Sequence, residues 1–274
     1  MIPQEDKASQ YAWEGGRSRQ NPCQGGAFGR ATCYNMDMKY FVVADVHAYY
    51  DKLTAALSSQ GFDPANPEHI FVSLGDLLDR GNKPEESLAF VNALPEERKI
   101  LVRGNHEDLL EECLERGSFL PRDIHNGTAQ TIYQLAGTPK GDDVRAWCEV
   151  VKGHAALNQY LGSLVEYAQL GRYVLVHGWI PARDTAPSHS WKKGDWKEAR
   201  WCNGMKEWAQ GYRLKGRTIV CGHYHTSWGH CHLDHQGTEF GSDAINAPFA
   251  HEGILAIDSC VAHTHVINCV VLEV

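Results

Sequence analysis

Asp76, Asp79 and Arg80 stand close together in Gly75-Asp76-Leu77-Leu78-Asp79-Arg80-Gly81. A carboxylate there can hold a hard cation, and an arginine can clamp a phosphate through two parallel hydrogen bonds. Comparable groups recur along the chain. Asp45 and His47 are two residues apart, so at a strand end they point to the same side and can share a cation. Asn105 and His106 lie in Arg103-Gly104-Asn105-His106-Glu107, His177 precedes Gly178-Trp179, and His223 and His225 lie in Cys221-Gly222-His223-Tyr224-His225-Thr226. Mixed carboxylate, amide and imidazole donors suit Mn2+, Fe or Zn2+ better than Ca2+ or Mg2+, which prefer shells made only of oxygen. A carboxylate that bridges two ions about 3.5–4 Å apart makes a two-metal hydrolytic site.

Each group directly follows an apolar run that reads as a buried strand: Lys39 to Ala44, Ile70 to Leu74, Arg98 to Val102, Tyr173 to Val176 and Arg217 to Val220. Residues 49–60 read as an amphipathic helix with Leu53, Ala56 and Leu57 inward. Residues 84–94 read as another, with Pro84 in the first turn and Leu88, Val91 and Leu94 on one face, and a third starts near Asp108. Strand, rim residues, helix, repeated, predicts an α/β fold with a parallel sheet and a site at the strands' carboxyl ends. A single acidic turn or lone D-x-H would be unremarkable, whereas five such groups in this order are not coincidence. Residues 107–170 read mostly as helix, broken at 117–127 and near Pro139-Lys140-Gly141. Residues 180–216 read as loops with a short helix near Asn203 to Tyr212, and 227–252 as a long loop or hairpin. Gly253 to Asp258 and His265 to Leu272 read as late strands.

Asp45-x-His47, Gly75-Asp76-x-x-Asp79-Arg80-Gly81, Gly104-Asn105-His106-Glu107, His177 and Gly222-His223-x-His225 resemble the five blocks of the calcineurin-like metallophosphoesterases. The GDxxDRG and RGNHE forms resemble its phosphoprotein phosphatase branch, which includes phage-type serine/threonine phosphatases and symmetrical diadenosine tetraphosphatases. The resemblance covers residues 39–272. It implies a four-layer αββα sandwich of two mixed sheets in one domain, residues 38–274, with a helical insert at about 107–170. It implies two divalent metals, Mn2+ first and Fe or Zn2+ as alternatives. Asp45, His47 and His225 would hold one, Asn105, His177 and His223 the other, and Asp76 both. His106 would be the general acid, oriented by Asp79. Arg80 and Arg103 would bind phosphate, with a third arginine late in the chain: Arg200, or else Arg183 or Arg213. The implied reaction is in-line attack on a phosphomonoester by a hydroxide held between the metals. The expected substrate is a phosphorylated protein, as for a serine/threonine phosphatase, or another small phosphoester. The alternatives are a symmetrical bis(5'-nucleosyl)-tetraphosphatase and an inactive binding scaffold. The chemistry stands beside the resemblance: phosphate monoesters hydrolyse extremely slowly in water, cations and arginines stabilise the charge, and a histidine titrating near neutrality can protonate the leaving alkoxide.

Composition bounds the rest. The 274 residues suffice for one large domain, and 43% hydrophobic with 22% charged residues is ordinary for a globular protein. A formal charge of -8 argues against a broad nucleic-acid-binding face. No run of about 20 apolar residues reads as a membrane span, and the N-terminal stretch shows no apolar run of the kind expected of a signal peptide. The nine cysteines are odd in number, irregularly spaced and without a C-x-x-C or C-x5-R pattern, which suits reduced thiols in a cytoplasmic protein and no cysteine nucleophile. Residues 1–37 read as an arm outside the fold, with Met36 and Met38 as alternative starts. Of the fifteen histidines, His230, His232, His235, His251, His263 and His265 read as loop or surface residues, and the spacing of Cys221, His230 and Cys231 fits no common zinc module. Trp179, Trp191, Trp196, Trp201, Trp208 and Trp228 read as core or rim packing, with base stacking as the sharper alternative.

Overall fold

The computed structural model describes residues 38–137, 143–181 and 191–274. The expected arm at 1–37, the break at 139–141 and Arg183 lie outside the described residues. Two sheets form the centre. The first has the order β3-β2-β1-β9, with β1 Lys39–Val43, β2 His69–Ser73, β3 Lys99–Leu101 and β9 Val270–Glu273. The second has the order β4-β5-β6-β8-β7, with β4 Ala168–Leu170, β5 Tyr173–Leu175, β6 Thr218–Cys221, β7 Phe249–His251 and β8 Ile254–Ala256. Both are mixed. β1, β2 and β3 are parallel and β9 antiparallel, while β5, β6 and β8 are parallel with antiparallel β4 and β7 at the edges.

The strands are apolar on both faces because each sheet is covered on both. Side chains alternate between layers. Val42, Ala44, Ile70, Val72 and Leu74 of the first sheet meet Leu175, Val220 and Ile257 of the second between the sheets. Phe41, Val43 and Phe71 point the other way, into a core with Leu53, Leu88, Leu110, Ile132 and Tyr160 of the flanking helices. On the far side of the second sheet, Val174, Val176, Ile219 and Cys221 pack against Trp179, Trp191, Trp196 and Met205. Helix, sheet, sheet, helix is the αββα arrangement that the resemblance implies. Full burial of one Leu, Ile or Phe stabilises by about 1.5–3 kcal/mol, so three such cores hold the two sheets in fixed relation. That relation sets the site, because its residues come from both.

Four local expectations differ from the structure. The helical stretch expected to reach 170 ends at Gly162, and Ala168–Leu170 is an edge strand paired with β5, with Ala168 and Leu170 buried around Gln169. The break at 117–127 holds a short helix, Pro121–His125, in which Asp123 accepts from the Leu120 N–H at 2.7 Å. A helix, Thr226–His232, opens the expected loop at 227–252. The last strand starts only at Val270, because a short helix, Val261–Thr264, precedes it between left-handed residues Cys260 (φ 58°) and His265 (φ 55°). A short helix, Gly204–Ala209, does lie in the expected 203–212 region. Cys113, Cys148 and Cys221 are buried, unbridged thiols.

Candidate active site

The loops after β1, β2, β3, β5 and β6 converge. Asp45, His47, Asp76, Asn105, His106 and His177 are buried there, and His223 is half-buried. Two groups of ligand-capable atoms share Asp76: His47, Asp76 and His106, and Asp76, His177 and His223. His47 Nε2 lies 3.8 Å from Asp76 Oδ2, and His177 Nε2 lies 3.4 Å from Asp76 Oδ1. Asn105 Oδ1 is 2.8 Å from His177 Nε2. Asp45 reaches across the seam between the sheets, its Oδ2 accepting from the His223 N–H at 2.8 Å.

The turns that deliver these groups are strained. Asp45 (φ 51°), His47 (φ 50°), Asp76 (φ 54°), Asp79 (φ 73°), Arg80 (φ 63°) and His223 (φ 65°) are all left-handed without being glycine. Such conformations cost energy and persist only where surrounding structure enforces them, which is characteristic of functional sites. Two glycines permit the close approach. A Cβ on Gly104 would lie 2.1 Å from Asp76 Oδ1, and one on Gly222 would lie 2.3 Å from Asp45 Oδ2. Glycine therefore precedes Asn105 and His223 for want of space.

The histidines divide by what holds their second nitrogen. His47 Nδ1 donates to the Leu78 carbonyl at 3.0 Å and His177 Nδ1 to the Leu74 carbonyl at 2.7 Å. The His223 ring donates to the Trp201 carbonyl. A carbonyl only accepts, so in the neutral ring the other nitrogen of each presents a lone pair to the centre. Metal-binding histidines are oriented this way. Burial, with His106 and Arg80 nearby, pushes His47 well down, and burial beside His177 brings His223 to about 3, so both rings are neutral near pH 7. His106 differs. Its Nδ1 is 2.7 Å from Asp79 Oδ2, and although burial opposes the charge, Asp76 and Asp79 outweigh it and raise the pKa. Its Nε2 faces the centre, 3.8 Å from Asp76 Oδ2 and 3.2 Å from an Arg80 guanidinium nitrogen.

The donor set fits divalent cations. Burial raises Asp45 well above the usual carboxylate range, and the neighbouring carboxylates of Asp258 and Asp76 raise it further. Three close buried carboxylates and several inward lone pairs are an unfavourable collection unless positive charge joins them.

Other expected residues lie at the margin. Arg103 pairs with Glu111 and, at 3.5 Å, with Asp108. Arg200 is buried, forked onto Asp108 at 2.8 and 3.1 Å and paired with Glu166. Of the described arginines named from the sequence, Arg80 is the one whose guanidinium touches the His106 ring. Arg213 stacks over Trp208 at 4.2 Å. His225 turns to Glu239, with Nε2 3.0 Å from Oε1, and like Asp45 lies outside both ligand groups, but Asp45 is buried against His223 whereas His225 is held by Glu239.

Sequence reasoning missed several supporting groups. Buried Glu107 accepts from the N–H groups of Asp76, Leu77 and Gly104 at 2.8–3.0 Å and from Tyr160 Oη at 2.8 Å, which fixes the Asp76 turn against the Asn105–Arg116 helix. Thr128 donates to Asp79 Oδ2 at 2.6 Å, and the Asp79 N–H donates to Thr131 Oγ1 at 3.1 Å. Asp258 follows β8 as the other acids follow their strands, and that position was a usable signal.

Residues 38–266 match the family model of the calcineurin-like phosphoesterases. The asymmetrical bis(5'-nucleosyl)-tetraphosphatase PrpE of Bacillus subtilis (strain 168) is 27% identical over 201 residues, 68% of this chain and 79% of that protein. The symmetrical bis(5'-nucleosyl)-tetraphosphatase of Psychromonas ingrahamii is 32% identical over 111 residues, 40% of this chain and 37% of that protein. Among solved structures, a cold-active protein-tyrosine phosphatase of a psychrophilic Shewanella species aligns with a TM-score of 0.53 at 18% identity, covering 86% of this chain and 76% of that one, a likeness of fold.

Proposed function

The chain belongs to the calcineurin-like phosphoesterase family, and we propose that it hydrolyses phosphoric esters and anhydrides of nucleotides with His106 as general acid. The observation that carries the catalytic reading is the division among the histidines: three rings anchored to backbone carbonyls, and one held by the Asp79 carboxylate. Asp45, His47, Asp76, Asn105, His177 and His223 would hold two divalent cations, Mn2+ first among the metals these donors suit. When bound, the cations supply Lewis-acid polarisation of phosphoryl oxygens and a nucleophile at neutral pH.

The chain's own residues do the remainder. Arg80, exposed beside His106, reaches nonbridging oxygens and stabilises the charge spread over them. Asp79 fixes the His106 ring, with Thr128 holding the same carboxylate oxygen. With Arg80 drawn off Nε2 onto the phosphate, His106 can carry a proton there and give it to the departing oxygen. Arg103 and Arg200, engaged with carboxylates, brace the rim through Asp108.

The names of the relatives support a dinucleoside tetraphosphate as substrate. A second reading, a phosphoserine/phosphothreonine protein phosphatase, is supported by the GDxxDRG and RGNHE forms and by the intact acid, which matters most for poor alkoxide leaving groups. Side-by-side turnover of diadenosine tetraphosphate and a phosphoserine peptide by Mn2+-loaded protein, with a chelated control, tests both. Two ADP, or ATP with AMP, would support the nucleotide reading and distinguish symmetrical from asymmetrical cleavage. Faster phosphate release from the peptide would favour the second. No metal-dependent turnover of either would sink the proposal.

A further inference from the structure

Trp201 is unlike the other tryptophans of its layer. Trp179, Trp191 and Trp196 are 1%, 8% and 9% exposed, whereas Trp201 is 49% exposed. It stands edge-on to the His223 ring at 5.8 Å, so a bare indole borders the site directly. Its backbone is nonetheless fixed. Its carbonyl accepts from the His223 ring, and the preceding residue is the buried Arg200, forked onto Asp108. A single exposed indole would be unremarkable, but this one joins Tyr224 and Trp228 in lining one concave, aromatic surface, which marks a binding groove.

The indole is one wall of a pocket of roughly 640 Å3, with Tyr224, Trp228, Asn203, Lys206 and Glu207 among its lining. Tyr224 stacks on His225 at 4.8 Å, and Trp228 meets Tyr224 edge-on at 6.1 Å. The floor is therefore aromatic and mutually braced. The rim is polar. The Asn203 side-chain oxygen caps its helix by accepting from the Lys206 N–H at 3.1 Å, which leaves its amide N–H groups for a ligand. The Lys206 ammonium is exposed.

We infer that this pocket takes the nucleobase of a nucleotide whose phosphate lies at the metal-ligand cluster. Aromatic faces stack any base, while amide, carboxylate and ammonium groups can pair with its edge. An aliphatic peptide side chain could pack on the aromatic faces but would leave the polar rim unused. The inference deepens the proposed function and rests on its placing the phosphate at that cluster.

The test is equilibrium dialysis of Mn2+-loaded protein, in a His106→Asn background so that neither ligand is turned over, with AMP and with ribose 5-phosphate, which keeps sugar and phosphate but lacks the base. AMP should bind about tenfold or more tightly than ribose 5-phosphate, the factor expected of one base stacked on an aromatic ring. Trp201→Ala should abolish that preference and leave ribose 5-phosphate binding unchanged, which also shows that the variant folds. Trp201→Phe should retain most of it. Equal binding of both ligands with Trp201 in place, or an equal loss of both in Trp201→Ala, would overturn the inference. So would a Trp201→Ala variant that keeps its preference for AMP but, with His106 intact, raises KM for a phosphoserine peptide, which would make the pocket a peptide subsite. Retained AMP preference without turnover of any phosphoester by the protein with His106 intact would instead sink the catalytic reading and leave the pocket standing.

Discussion

The Nε2 of His177 lies 2.8 Å from the amide oxygen of Asn105, while Nδ1 of the same ring spends its proton on the Leu74 carbonyl. In the neutral ring two lone pairs then face each other at hydrogen-bonding distance, and Asp76 Oδ1 adds a third acceptor at 3.4 Å. Acceptors meet in this way where a cation is to join them.

Asp76 belongs to both ligand groups, so Asp76→Asn should weaken metal binding at both. Hydrolysis should fall at least ~10³-fold, because several kcal/mol of transition-state stabilisation is removed. Metal content by elemental analysis and turnover with saturating Mn2+ would check this. Activity near that of the unaltered protein would refute the bridging role.

His106→Asn should keep its metals and lose rate in proportion to how poor the leaving group is. A general acid contributes about 10²- to 10⁴-fold, so the loss should be large on an alkyl phosphate and small on p-nitrophenyl phosphate. An equal loss on both would argue against an acid.

The raised pKa of His106 gives a pH dependence of definite sign. Burial lowers it, Asp76 and Asp79 raise it more, and the protonated ring is retained to higher pH than in a free imidazole. Activity that needs the proton should fall as pH rises through the folded value. Asp79→Asn removes one of the supporting charges, so the alkaline limb of kcat/KM should move to lower pH. The corresponding stability contribution is fully present below the unfolded value of about 6.5 and fades as pH rises through the folded one. An alkaline limb that stays in place in Asp79→Asn would show that another group sets it.

Glu107→Gln should cost stability as well as rate. One Glu107 oxygen accepts from the Asp76 and Gly104 N–H groups, the other from the Leu77 N–H and Tyr160. A glutamine leaves a donor facing donors, at about 1–3 kcal/mol for each buried group left unpaired. A drop in Tm of several degrees is expected. Calorimetry of the metal-free protein would separate this loss from any loss of metal, and an unchanged Tm would contradict the bracing role.

The rim of the candidate site was legible in the sequence because each inward residue sits directly after a strand, where local pattern and position in the fold coincide. Asp45, Asp76, Asn105, His177 and His223 are of this kind. What was not legible depends on partners that no local pattern names. Arg103 and Arg200 read alike as phosphate clamps, yet each meets an acid on another element, Glu111 and Glu166, with Asp108 shared. Thr128 and Thr131 support Asp79 across 49 and 52 residues of sequence, which no periodicity signals. Trp179 and Trp201 look equivalent as letters. Only the packing of Trp179 over the second sheet and the exposure of Trp201 beside His223 separate them.

The seam between the sheets has a kinetic consequence. Asp45 is tied to His223 across 178 residues of sequence, and Leu74 to His177 across 103. Contacts of such separation form late, after the loop-closure entropy between them has been met. The ligand group of Asp76, His177 and His223 is therefore complete only once the two sheets have docked. An ion held there stabilises an arrangement that the folding transition state has yet to make, so it should slow unfolding far more than it speeds folding. A metal at that group would then act as a latch on the finished protein rather than as a nucleus for its assembly.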